Sequence, residues 1–149
     1  AARAAGVPLV IAGEGPDEPR LRKLAAGGEV TFTGRLAGDA LAELRRGAAV
    51  ALVPSRWEEP LGYAVLEAHA AGVPALASGR GGLPELVSRD ALVSADDAEA
   101  WTRALRTIWS MSAGERDAIG DGVLARAREE LGEDRYYDRL MAVYGDGRP

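Results

Sequence analysis

Short apolar runs alternate with segments of helical spacing along the 149-residue chain, and that alternation limits its folding most. Residues 7–12 (VPLVIA), 29–33 (EVTFT), 48–54 (AAVALVP), 73–78 (VPALAS) and 91–94 (ALVS) read as strands. Most lack the polar alternate positions of a half-exposed sheet, so they belong to a parallel sheet buried on both faces. The spacing predicts helices over 19–26, 39–46, 60–71, 96–111, 112–131 and 133–144, and a short one after the glycines of GRGGLPELV. Asp39 is placed as an N-cap, Pro60 in the first turn of its helix, and Gly47 and Gly72 as helix stops. The last residues, GDGRP, read as a polar tail. The fold class is therefore α/β: one Rossmann-like parallel sheet with helices on both faces, in a single domain over 1–149.

Composition removes several functions. There is no cysteine and a single histidine, His69, so thiolate and multi-histidine metal sites are ruled out. The net charge of −5 argues against a nucleic-acid partner, since such proteins bind through basic surface. No apolar run approaches the roughly 18 residues of a membrane span, and no secretory signal opens the sequence. The expected location is cytoplasmic, or at a membrane surface through another domain.

Ligands of parallel sheets sit at the carboxyl ends of strands. Four loops fall there: GEGP (13–16), TGRL (33–36), PSRWEEPLG (54–62) and SGRGGLPE (78–85). Tight turns alone account for glycine and proline in any one of them; four on one rim point to a ligand cleft. The third loop carries Glu59, and Glu67 follows eight residues later. With 60–67 helical, the two carboxylates lie roughly 12 Å apart along the axis and within a quarter turn of each other. Glycosidase carboxyl pairs stand closer, at about 5 Å or 6.5–9.5 Å. This pair suits two separate tasks along an extended polyhydroxylated ligand, since a carboxylate can accept two hydrogen bonds from a vicinal diol. Gly62, Tyr63 and Ala64, between them, offer free amides and the helix dipole to an anion, and Gly62 lacks a side chain that would block a phosphate. The plain alternative is a capping glutamate ahead of an amphipathic helix with one exposed Glu.

Taken in order, GEGP, VTFTGRL, the Pro54-Ser55 pair, WEEPLGYAVLEAHAAGVPALA and GGLPELV resemble the C-terminal domain of group 1 (family 4) retaining glycosyltransferases of the GT-B fold. The likeness covers residues 9 to about 87 at the level of motifs, and the later helices more loosely. It implies transfer of a sugar from a nucleotide diphosphate donor to an acceptor hydroxyl with retention of configuration, and with no metal or other cofactor. Glu67 would hold the donor ribose, and Glu59, the candidate catalytic residue, would contact or position the donor sugar. Gly62, Tyr63 and Ala64 would meet the diphosphate or sugar through their amides. Gly34, Arg35 and Leu36 would flank the base, with Gly13, Gly15 and Ser55 on the same rim. Gly81, Gly82 and Glu85 would shape the floor. His69 reads as a packing substitution, and Arg56 and Arg80 as loop cations within reach of a phosphate.

The family's domain usually opens with a strand, a G-x-R turn and a lysine, whose cations steady the leaving diphosphate. Residues 1–6 read as the helix after that turn, so the chain is expected to be a fragment or one chain of a split enzyme, inactive alone and lacking the first, central strand. Expected partners are the nucleotide-sugar donor and an N-terminal GT-B domain or companion chain. Self-association through the sheet gap or the last helix, with its Tyr137 and Tyr144, is the other expectation. Two rivals remain. A dinucleotide oxidoreductase is disfavoured because GEGPDE lacks the third glycine of its phosphate loop. A non-catalytic nucleotide-sugar-binding or assembly module of the same fold stays open.

Overall fold

The computed structural model describes residues 1–146, so the end of the polar tail, 147–149, lies outside the described residues. The elements run α1 (Ala2–Ala5), β1 (Leu9–Ala12), α2 (Glu18–Ala25), β2 (Val30–Gly34), α3 (Gly38–Arg46), β3 (Ala51–Val53), α4 (Tyr63–Ala70), β4 (Ala75–Ser78), α5 (Leu83–Leu86), β5 (Leu92–Val93), α6 (Ala98–Ser110), α7 (Ala113–Leu131) and α8 (Glu133–Asp146). A single 3₁₀ turn, Arg89–Ala91, precedes β5. All strand pairs are parallel.

The strands do not join into one sheet. β1 pairs with β2, and β3, β4 and β5 form a second sheet in that order. In the larger sheet the side chains alternate between two cores. Leu52, Leu76 and Val93 face a core closed by Ala2 of α1 and by Trp101, Leu105 and Ile108 of α6. Ala51, Val53, Ala75, Ala77 and Leu92 face the other core, closed by Val65 of α4 and Leu83 and Leu86 of α5. This period of two is what an extended chain imposes when both faces are covered. Leu9 of β1 packs on the α1–α6 core, so the two sheets share apolar contacts without sharing a ladder. Val10, its neighbour, is 43% exposed, where a continuous sheet would bury it.

Local chemistry sets several boundaries. Ser112 and Glu115 form a reciprocal capping box that starts α7, and Asp97 caps α6 by accepting from the Ala100 amide at 2.8 Å. Asp39 does not cap α3. That helix begins one residue earlier, after an extended Ala37 with no side-chain cap. α4 begins at Tyr63, not near Pro60. Residues 58–62 are irregular because the GRGG turn binds their backbone, so Glu59 stands in a loop and the 12 Å helical spacing does not apply.

α7 packs closely against α4. A Cβ on Gly120 would stand 2.2 Å from the Gly72 carbonyl oxygen, at the turn that ends α4. Mid-helix alanine ordinarily gains up to about 1 kcal/mol over glycine. Here the contact outweighs it: Gly120→Ala is expected to destabilise the fold by about 1–3 kcal/mol, the usual cost of overpacking. Urea unfolding decides the sign, and a stabilised variant would show that α7 does not sit this close.

Candidate functional site

The loops that leave the strands are stitched in two groups. After β1 and β2, the Gly13 amide donates to the Gly34 carbonyl at 2.8 Å, and the Arg35 amide to the Glu14 carboxylate at 3.3 Å. Gly34 sits at φ +67°, a left-handed value that favours glycine. Gly13 and Gly15 line a shallow cavity of about 210 Å³ with Phe32 and Leu21, and Leu36 lies half-buried just beyond β2. Of the predicted residues, Gly13, Gly15, Gly34 and Arg35 thus meet at one place.

The second group joins the loops after β3, β4 and β5. Ser78, fully buried on β4, donates its hydroxyl to the Ser55 carbonyl at 2.6 Å. The Gly82 amide donates to the Glu59 carbonyl at 2.7 Å, and the Gly81 amide to the Glu58 carboxylate at 2.5 Å. Gly81 and Gly82 have no room for a side chain: a Cβ on Gly81 would lie 2.2 Å from the Glu59 carbonyl oxygen, and one on Gly82 2.9 Å from that of Pro60. The pair therefore does more than shape a floor, because it clamps the loop that carries Glu59.

Glu59 is half-buried, and two donors converge on its Oε1: the Ser55 hydroxyl at 2.7 Å and the Trp57 indole N–H at 2.7 Å. These bonds, Ser55 first, hold its carboxyl below the usual carboxylate range, so the group stays ionised. Gly62, the residue before α4, is buried at φ +76°, and a Cβ there would meet Leu83 at 2.5 Å. Its glycine identity answers to that leucine and that left-handed turn, which corrects the expectation that it clears space for a phosphate. Tyr63 and Ala64, the first helical residues, are exposed, and the helix has no side-chain cap, so its N-terminal amides stay open.

Glu67 lies elsewhere on α4. Its half-exposed side chain takes an ion pair from Arg45 at the end of α3. Nothing joins it to the Glu59 cluster among the described contacts. Glu85 is exposed, and its carbonyl, with that of Leu86, accepts from the Arg126 guanidinium of α7 at 2.9 and 3.2 Å. His69 is buried on α4, as a packing residue would be. Asp96, after β5, pairs with Arg56 at 3.1 Å and stands 3.9 Å from Arg80, which also lies 3.5 Å from Glu58.

A second cavity, about 270 Å³, opens between Gly79, Arg80 and the end of β5. Ligand pockets typically enclose about 300–1,000 Å³, so neither hollow alone accommodates a nucleotide sugar. Sequence reasoning passed over Trp57, Glu58, Arg45 and Asp96. Trp57 and Glu58 abut Glu59 in the chain and were open to inspection as polar neighbours of a candidate carboxylate; Arg45 and Asp96 reach their partners only through the fold.

Residues 1–111 match the family described as glycosyl transferases group 1. The chain belongs to that family. It is 43% identical over 104 residues to a GDP-mannose-dependent α-(1-6)-phosphatidylinositol dimannoside mannosyltransferase of Mycobacterium tuberculosis, an alignment covering 68% of this chain and 27% of the relative. Sucrose-phosphate synthase from Thermosynechococcus elongatus superposes with a TM-score of 0.72 at 28% identity, over 93% of this chain and 39% of the synthase. HepE of Anabaena, solved with UDP and glucose, superposes with a TM-score of 0.74 over 91% of this chain and 41% of that one. At 18% identity that likeness speaks for the GT-B fold alone. The chain thus spans well under half the length of each of these relatives.

Two outcomes test the local geometry. Gly81→Ala is expected to lose about 1–3 kcal/mol, from a left-handed backbone and a clash with the Glu59 peptide. Gly79→Ala, with φ outside the left-handed region and open space around it, serves as the control; equal thermal stability of the two variants would count against the clamp. His69 supplies a pH test. Burial, then Arg126, lowers its pKa, so the unfolded chain takes up the proton first on acidification. Its contribution is intact above about pH 6.5, the unfolded value, and is lost as the pH falls below it. Unfolding midpoints at pH 7.5 and 5.5 should therefore differ more in the wild type than in His69→Gln.

Proposed function

We propose that the rim of strand-end loops binds a nucleoside diphosphate sugar, and that the chain is the donor-binding part of a retaining glycosyltransferase passing the sugar to an acceptor hydroxyl. One juxtaposition carries this reading: an anchored, ionised Glu59 stands just ahead of the open N-terminus of α4, in a chain of a sugar-transferring family. A fixed carboxylate accepts from sugar hydroxyls, and helix-terminal amides favour a diphosphate beside it. In this reading the Tyr63 and Ala64 amides meet the diphosphate. Gly13, Gly15 and the Gly34-Arg35-Leu36 turn flank the base. Glu67 takes the ribose diol, with Arg45 fixing its carboxylate. A carboxylate offers about four lone-pair directions, so the ion pair leaves room for a diol.

Charge on the leaving diphosphate is met by backbone dipoles and by arginine, without a bound metal. Arg56 and Arg80 stand on the right loops for this, each now held by Asp96. The acceptor would be bound by an N-terminal GT-B domain or a companion chain. The relatives' names make GDP-mannose and UDP-glucose the first donors to test.

Glu67→Ala is expected to weaken nucleotide binding by about 1.5–3 kcal/mol, the range for hydrogen bonds to a charged group. Titration calorimetry with GDP-mannose, UDP-glucose, GDP and UDP measures it. Unaltered affinity in the variant would remove Glu67 from the donor site, and a wild type that binds none of the four would overturn the reading itself.

A further inference from the structure

Trp57 is 69% exposed, although a tryptophan usually stabilises a fold by burying its large apolar ring. The one directed contact recorded for its side chain is the indole N–H, which donates to Glu59 Oε1 at 2.7 Å. Core packing therefore does not explain where it stands. The second donor on the same oxygen, the Ser55 hydroxyl, comes from a residue whose own carbonyl is tied to buried Ser78. With one donor a carboxylate still turns about its terminal torsions. With two donors reaching it from different residues, Oε1 is pinned in place and Oε2 is the oxygen left unengaged. Glu59 Oε2 takes no hydrogen bond among the described residues.

We infer that Trp57 is a positioning residue for Glu59: it shares Oε1 with Ser55 and so reserves Oε2 as the acceptor for a hydroxyl of the donor's sugar. The ligand class is the glycosyl part of a nucleoside diphosphate sugar, so the inference rests on the donor-site reading. It also limits Glu59 chemically. A carboxylate already accepting two hydrogen bonds is a poor proton donor, and its role is to hold a sugar hydroxyl rather than to protonate a leaving group.

Trp57→Phe keeps an aromatic ring and deletes only the N–H donor, at a site exposed enough to leave folding unchanged. With the whole chain, calorimetry compares GDP-mannose with GDP and UDP-glucose with UDP, while carbon-13 NMR follows the titration of the Glu59 carboxyl. Expected are a loss of about tenfold in affinity for the nucleotide sugar, the size of one hydrogen bond to a charged group, with nucleoside diphosphate affinity held. The Glu59 titration should also move to higher pH, and Ser55→Ala should reproduce both changes. An unmoved Glu59 titration in Trp57→Phe overturns the positioning role. Equal losses for sugar nucleotide and bare diphosphate overturn the assignment to the sugar, and unchanged affinities with a shifted titration do the same. Should the wild type bind no nucleotide, the donor-site reading fails instead, and the titration alone still decides whether Trp57 positions Glu59.

Discussion

The contact on which the site depends is between two stretches of backbone. Glu58–Pro60 and Gly81–Gly82 approach so closely that a methyl group at Gly81 would overlap the Glu59 peptide. Two hydrogen bonds close the seam, from Gly81 to the Glu58 carboxylate and from Gly82 to the Glu59 carbonyl. Neither bond belongs to the sheet. Together they transfer the rigidity of β4, whose four residues are all buried, to a loop with no regular structure of its own. A candidate carboxylate needs that support, because a loop side chain without it would spend its binding energy on becoming ordered. Glu58 and Glu59 divide the work: the first secures the loop and the second is left presented.

Much of this was legible in the chain. Apolar runs marked the strands, and in β3–β5 their alternate residues, Leu52, Leu76 and Val93 on one side and Ala51, Val53, Ala75 and Ala77 on the other, face two cores, whereas no residue of β1 or β2 is buried. The spacing placed a helix from residue 112, and the Ser112–Glu115 capping box starts α7 there. What failed to show was whatever depends on distant backbone. Pro60 is a sound first-turn residue by local preference, but the GRGG turn captures the peptide beside it, and α4 starts three residues later. Gly62 invited a ligand-based reading because glycine frees space on every side. Only the fold reveals that the space belongs to Leu83. Arg45 and Glu67 lie 22 positions apart, with no local pattern to connect them.

The divided sheet has its own physical consequence. A parallel strand normally pairs on both sides and buries both faces, yet β1 pairs only with β2, and Val10 stays largely open to solvent. An unpaired apolar edge is a template for another strand. The shared core of α1, α6, Leu9 and Leu52 holds the two sheets in one body without closing that edge. The N-terminal half, with its glycines and shallow cavity, is therefore joined to the larger sheet by side-chain packing and not by a ladder. The loops after β3, β4 and β5 are fixed by their own ladder.

The two glutamates, both between β3 and β4, are held by different partners. Glu59 is held by neutral donors, an alcohol and an indole, in the loop after β3. Neutral donors orient a carboxylate while leaving its full negative charge for a ligand. Glu67 is held by a guanidinium, which orients it equally well but offsets its charge. A ribose diol, itself neutral, loses little by meeting a carboxylate whose charge is already balanced. In the proposed donor reading the compensated carboxylate meets the ribose and the uncompensated one the sugar, and the helix amides at Tyr63 and Ala64 supply the partial positive charge that offsets Glu59 beside the diphosphate.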